Sequence, residues 1–308
     1  MSAAAGPTVP FWARVGAERL PRPAQDLPSL RWMMLPAVVF TIVMVLFPLG
    51  YAVVLSLQTS TGGAGAGFAG LANYRRMMGD PLFWNALAIT LELFVISLVL
   101  QLVLGTLLAL GLHRFRIVRG LTRTAIMSPF MLPPVVIGMI SIVVLDPGLG
   151  AANWVVQSLG LAPFLWLASP TWAIPVIALI DAWQWTPFVA LIVLGGLQAL
   201  PQRVYEAAEI DGAVGWRRFR YITLPLLGPT LLTAAVLRSV DLLRFFDVIY
   251  ITTQGGPGNA TTTLNIYAYK TGFDFMDVGY ASATMIALAI LVFGSVLFLA
   301  GLRRRVAW

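Results

Sequence analysis

The polar side chains of this chain that could do chemistry sit inside long apolar runs. Asp181, Gln184, Trp185 and Phe188 fall at i, i+3, i+4 and i+7, so an α-helix sets all four on one face. That face combines a carboxylate, an amide and aromatic rings. Sugars and polyols need such a combination, with hydroxyls on polar groups and C–H faces on rings. An apolar lining with a few placed polar groups is the general form of a small-ligand site. The same residues also suit plain packing, with Gln184 as an interhelical hydrogen-bonding group. Composition weighs the two readings equally. Further on, Arg238, Asp241, Arg244 and Asp247 follow at intervals of three. Each arginine then has an aspartate one helical turn away, a spacing that permits pairing. One reading is a self-cancelling charge ladder packed on a partner; the other brings Arg238 or Asp241 to a substrate. Ionisable groups inside apolar segments usually face a cavity or a partner and also serve proton relays. Glu92 and Asp181 admit that role, but the arginine beside each carboxylate of the 238–247 run argues against a relay there.

Other chemistries are excluded by composition. The chain has no cysteine and one histidine, His113, so it offers neither thiol chemistry nor a histidine-built metal site. No G-x-x-x-x-G-K-[ST] is present, and the sole lysine is Lys270; no phosphate-binding P-loop can form. No catalytic residue and no metal ligand set is expected.

Six apolar segments must position these residues, over about Trp32–Leu57, Asn85–Leu112, Thr124–Leu145, Trp172–Leu197, Leu226–Thr252 and Tyr280–Leu302. Runs of about 20 apolar residues span a bilayer as helices. The chain is 59% hydrophobic and only 11% charged, with mean hydropathy +0.85, well short of the roughly 25% charge of soluble domains. An all-α membrane protein with six transmembrane helices is expected. Residues 1–31 read as a tail, 32–302 as the transmembrane domain with a polar loop at 202–225, and 303–308 as a second tail. Prolines 129, 133, 134, 175 and 187 predict kinks that neighbouring helices re-satisfy.

The net charge of +7 is not a nucleic-acid face, because the cations lie in the gaps between apolar runs. Arg14, Arg19, Arg22 and Arg31, then Arg114, Arg116, Arg119 and Arg123, then Arg203, Arg217, Arg218 and Arg220, then Arg303 to Arg305 share one side if six helices cross in sequence. Arg75, Arg76 and Lys270 lie on the other. The positive-inside rule puts both termini and the 202–225 loop in the cytoplasm. Among the outer loops, Gly62 to Gly67 read as a flexible stretch. Trp154, Phe164, Trp166 and Trp172 suit a headgroup-level helix, and Gly255-Gly256-Pro257-Gly258 a turn cluster.

The loop itself is specific. Glu206 to Pro225 read E-A-A-E-I-D-G-A-V-G-W-R-R-F-R-Y-I-T-L-P. A small-residue helical turn, an Asp-Gly break, a short basic-aromatic helix and a proline follow one another. Gly212 permits a backbone turn that a Cβ would penalise. Glu206, Ala207 and Ala208, then Gly212, then Ile222, Leu224 and Pro225 match the E-A-A…G…I-x-L-P pattern without departure. In this the chain resembles the cytoplasmic coupling loop of ABC-importer permeases, the family that includes the maltose permease subunits. F-A-G-L-A-N-Y (Phe68–Tyr74) with Phe83-Trp84, T-Q-G-G-P-G (Thr253–Gly258) and G-Y-A-S-A (Gly279–Ala283) resemble further patterns of its carbohydrate branch.

The resemblance implies a type I permease fold in a bacterial inner membrane. It also implies a second permease subunit, two ATP-binding subunits that hold ATP and Mg, and an extracytoplasmic binding protein. Glu206, Ala207, Ala208, Asp211, Gly212 and Arg217 would meet the ATPase. By the resemblance, sugar contacts placed by distance from the loop fall on Asp181, Gln184, Trp185 and Phe188, and a second set, aligned through Gly255-Gly256-Pro257, falls near Leu242, Leu243 and Phe246. A sugar or polyol is the expected cargo. A glycerol phosphate held by Arg238 or Arg244, and a proton-coupled carrier using Glu92 or Asp181, are the alternatives.

Overall fold

The structure is a computed structural model that describes residues 28–59, 67–114 and 121–306. Arg14, Arg19 and Arg22, most of the 62–67 stretch, and Arg116 and Arg119 lie outside the described residues. The described residues are overwhelmingly helical, with a single isolated β-bridge between Gln58 and Phe68.

The chain divides at Tyr51 into two compact units. The first holds most of α1 (Pro28–Ser56). Its apolar run Met34–Ser56 has 23 residues, about 35 Å of helix at 1.5 Å per residue, enough to cross a bilayer core.

The second unit contains α2 (Ala72–Met78), α3 (Pro81–Arg114), α4 (Leu121–Met131), α5 (Pro134–Val144), α6 (Ala151–Ser158) and α7 (Ala173–Ala199). It continues with α8 (Gln202–Ile210), α9 (Gly215–Arg218), α10 (Leu224–Leu243), α11 (Asp247–Thr252), α12 (Leu264–Tyr269) and α13 (Val278–Val306). Single π-helical turns lead from α9 into α10 and out of α12. Among the described residues, five helical stretches are long and apolar enough to span a membrane, and a bent pair brings the number to six.

α3 and α7 form the most closely joined pair. Gly105 makes this possible: a Cβ there would lie 2.6 Å from Val189 Cγ1 and 3.2 Å from the Ala190 backbone nitrogen. Small residues in membrane helices let backbones approach in this way. Around the contact, Ala109, Val189, Val193 and Leu197 pack with Leu227 and Ala234 of α10. A second cluster joins Leu93 and Ile177 to Ile249 of α11 and Ile266 of α12.

Two predicted spans are not continuous. The expected Thr124–Leu145 helix is α4 and α5, meeting at 101°. The residue before a proline is pushed out of the helical region, and Pro133-Pro134 imposes this twice in succession; Pro133 itself is extended at φ −60°, ψ 141°. The expected Leu226–Thr252 helix stops at Leu243 and restarts at Asp247. There the Arg244 carbonyl, freed from the ladder, accepts from Asn265 Nδ2 at 2.8 Å. The pieces beyond the breaks pack on each other: Ile137 of α5 meets Val248 of α11, and Gly138 closes on Ile251.

The predicted headgroup-level aromatics are partly interior to their loop. Trp154 is exposed, but Phe164 packs edge-on to Trp166 and Trp172, and buried Asn153 ties this loop together through Phe164 and Trp166. The Gly255–Gly258 segment is the predicted turn, with Gly255 at φ +87° and Gly258 at φ +56°. Where α2, α3, α12 and α13 begin or end, Asp80 accepts from the Tyr267 and Tyr280 hydroxyls at 2.5 and 2.6 Å. Burial pushes the Asp80 carboxyl up, but these hydrogen bonds outweigh it and hold the group below its ordinary value. Arg76 lies 4.1 Å over the Tyr280 ring and pairs with Asp277 at 2.6 Å.

Candidate functional site

The break after α10 opens a cavity of ≈ 380 Å³ among α5, α7, α10, α11 and α12. α7 contributes Asp181 and Trp185, one turn apart. Arg238 and Asp241 come from α10, Arg244, Phe245 and Phe246 from the break, Asp247 from α11, Pro134 from α5 and Asn265 from α12.

Beneath one wall lies a buried polar network. Arg238 is 1% exposed and Asp181 0%. Arg238 Nη2 donates to both Asp181 oxygens at 3.2 and 3.3 Å, and Nε donates to Gln101 Oε1 at 2.7 Å. Gln101 Nε2 in turn donates to Asp181 Oδ2. Arg238 Nη1 reaches Asp241 at 3.4 Å, and the guanidinium lies 4.1 Å from the Trp185 ring centroid, within cation–π range. Every nitrogen of the guanidinium therefore has a partner. Asp241 carries the chain onward to Arg244 at 3.6 Å, whose Nε also donates to the Val240 carbonyl.

The predicted residues divide on this geometry. Asp181, Trp185, Arg238, Asp241 and Phe246 line the cavity. Gln184 does not: its Nε2 donates to the Leu132 carbonyl at 2.9 Å, satisfying a backbone group freed by the Pro133-Pro134 break. Phe188 stacks on Phe130 and meets Trp185 edge-on. Leu242 and Leu243 are core residues; the helix ends at Leu243, which sends the cavity-facing direction to Phe245 and Phe246 instead.

The intrahelical ladder holds in part: Arg238 and Arg244 both pair with Asp241. Arg238 pairs across helices with Asp181. Asp247 sits beyond the break, at the start of α11, and makes no ion pair among the described residues. Glu92 is exposed on α3, away from this network. Gln101, Phe245 and Asn265 were not predicted. Gln101 had a readable signal, a lone amide in the middle of an apolar run; Asn265 had none, since only the break brings it to the cavity.

The 202–225 loop forms a second surface. α8 ends in a Schellman motif: Ala213 N donates to Ala208 O at 2.8 Å and Gly212 N to Glu209 O at 3.1 Å. Gly212 has φ +70°, and nothing lies within 4 Å of where its Cβ would be. Glu206, Ala207, Asp211, Gly212 and Arg217 are exposed. Ala208 is buried and its carbonyl accepts from Ala213, so it supports the loop rather than presenting to a partner. Arg218 donates to Glu209 at 2.9 Å, a pair internal to the loop. Ile210, Val214 and Trp216 are 87%, 65% and 73% exposed, which gives the protrusion an apolar face.

Comparison with known proteins agrees with this architecture. The family model described as binding-protein-dependent transport system inner membrane component matches residues 101–307. The trehalose/maltose transport system permease protein MalF of Thermococcus litoralis is 40% identical over 225 residues, 73% of this chain and 76% of that protein. The trehalose transport system permease protein SugA of Mycobacterium tuberculosis is 36% identical over 272 residues, 86% of this chain and 84% of that protein. A chain of a bacterial alginate ABC transporter, crystallised with an alginate pentasaccharide-bound periplasmic protein, shares the fold at TM-score 0.79 and 22% identity. The match covers 96% of this chain and 98% of that one. Six apolar spans with one broken at paired prolines, a capped helix–turn–helix loop at 202–225 and a family match over two-thirds of the chain lead to one assignment: this chain belongs to the binding-protein-dependent transport system inner membrane components, the multi-pass permease subunits of ABC importers.

Proposed function

We propose that this permease carries a neutral sugar or polyol into the cell by alternating access, using the cavity between α7 and α10 as its membrane binding site. The observation that carries the reading is the charge state of that cavity. Its wall holds three carboxylates, Asp181, Asp241 and Asp247, and two guanidinium groups, Arg238 and Arg244. Arg238 is fully engaged by its own neighbours and Arg244 is shared with Asp241. Three carboxylates face two guanidinium groups, each already drawn to an aspartate, which disfavours a phosphate. Carboxylate acceptors, the Asn265 amide and the Trp185, Phe245 and Phe246 rings suit hydroxyls and C–H faces. The sugar-transport names of its relatives support the same class.

Energy comes from two separate cytoplasmic subunits that bind ATP and Mg and seat the Ile210, Val214 and Trp216 face of the loop. A second permease subunit completes the pathway, and an extracytoplasmic binding protein delivers the cargo. Both termini and the loop lie in the cytoplasm, consistent with the arginine distribution. A proton relay through Asp181 is disfavoured, because that carboxylate is locked to Arg238 and Gln101 inside the core. The test is ATP hydrolysis by the reconstituted complex with its binding protein. Trehalose, maltose and neutral polyols are expected to stimulate it; stimulation by glycerol 3-phosphate alone overturns the substrate class.

A further inference from the structure

We infer that Arg238 is a positioning residue rather than a ligand contact, and that Gln101 on α3 sets its position. The inference rests on the cavity reading above. A guanidinium that bound cargo would present an accessible N–H edge to it. Here Nε goes to Gln101, Nη2 to Asp181 and Nη1 to Asp241, while the face lies against Trp185. Only 1% of the side chain is exposed. What Arg238 offers the cavity is therefore indirect: it holds the Trp185 indole by its face and one oxygen of Asp241, whose side chain is 44% exposed. These are the two groups placed to stack on a ring and to accept from a hydroxyl.

Gln101 decides which way the fork points. It accepts from Arg238 Nε and donates to Asp181, so one amide reads the orientation of both charged partners. Its side chain is fully buried and does not line the cavity, so any effect on cargo must pass through Arg238. Arg-to-Lys exchange at such a site is not conservative, because the ammonium keeps the charge and loses the planar fork.

Two measurements on the full complex test this. The first needs no cargo. With 5-fluorotryptophan incorporated, the Trp185 resonance in the 19F spectrum is identified by its loss in Trp185→Phe. Gln101→Met and Arg238→Lys are each expected to shift or split that resonance. An unchanged resonance in both overturns the proposal. The second measures trehalose- and maltose-stimulated ATP hydrolysis. Gln101→Met is expected to raise the half-saturating sugar concentration roughly three- to thirtyfold, the span of a lost cation–π contact, with the maximal rate little changed. In a Trp185→Leu background the same substitution is expected to add little, since the two act in one chain of contacts. A full additional rise in that background overturns the proposal, and so does a loss of maximal rate with unchanged half-saturation. If neither sugar stimulates the wild-type complex, the substrate reading has failed, and the fluorine spectrum still decides the role of Arg238.

Discussion

Arg238 and Asp181 do not have equal claims on each other, and that asymmetry is measurable. Asp181 has one cation in reach and no exposure, whereas Arg238 has a second carboxylate, Asp241, at 3.4 Å and partly exposed. Arg238→Met therefore leaves a charged carboxylate in the core with only the Gln101 amide for company. Breaking a buried pair in this way costs about 3–5 kcal/mol. Asp181→Asn leaves Arg238 its pair with Asp241 and its place against Trp185, and keeps an acceptor for Gln101, so the loss should be less than half as large. The double variant, Asp181→Asn with Arg238→Met, removes both charges and is expected to lie within about 2 kcal/mol of wild type, since replacing a whole buried pair is often near neutral. For a chain of this length, ~2 °C per kcal/mol puts Arg238→Met about 6–10 °C below wild type in thermal midpoint. The assay is retention of the monodisperse size-exclusion peak after heating the complex in detergent. Equal losses from the two single variants, or a double variant as unstable as their sum, would refute the reasoning.

Two further outcomes follow from other parts of the fold. At Gly212 any Cβ has room, so substitution costs only the left-handed backbone, about 1–2 kcal/mol and less for Asn or Asp; Gly212→Asn should then stay coupled while Gly212→Asp hydrolyses ATP without transport, and equal behaviour of the two removes the role of charge on that face. Because hydrogen bonds from Tyr267 and Tyr280 lower the folded-state value of Asp80, its contribution is constant from neutral pH down to its ordinary value of 3.8 and is lost as pH falls through the still lower folded value. The difference in thermal midpoint between wild type and Asp80→Asn should be constant above about pH 5 and shrink below about pH 4, and parallel curves throughout would show that the carboxylate contributes nothing.

What could be read in the sequence was whatever depends on local chemistry. Apolar run length located the spans, Asp211-Gly212 announced the capped turn, counting from that turn reached Asp181 and Trp185, and Gly255-Gly256-Pro257 led to Phe246. The misses gather around two breaks. Periodicity assumes an unbroken helix, and the cavity exists because two helices are broken. Pro133-Pro134 gave notice of one break, but nothing in L-L-R-F-F-D (242–247) marks the other; it is held by Asn265, some twenty residues away in sequence. Extending α10 as an ideal helix puts Asp247 beside Arg244, which fails beyond Leu243; Leu242 and Leu243 lie within the helix and are buried in the core. Gln184 lies on the unbroken α7, and of its two readings the interhelical one holds, since its amide satisfies a carbonyl released at Leu132. Each break frees a carbonyl that a distant amide then takes up, and the segments beyond the two breaks, α5 and α11, pack on one another. Local rules tend to fail where a chain has been bent for function. Here both failures border the same cavity, so a change in either break would alter its walls.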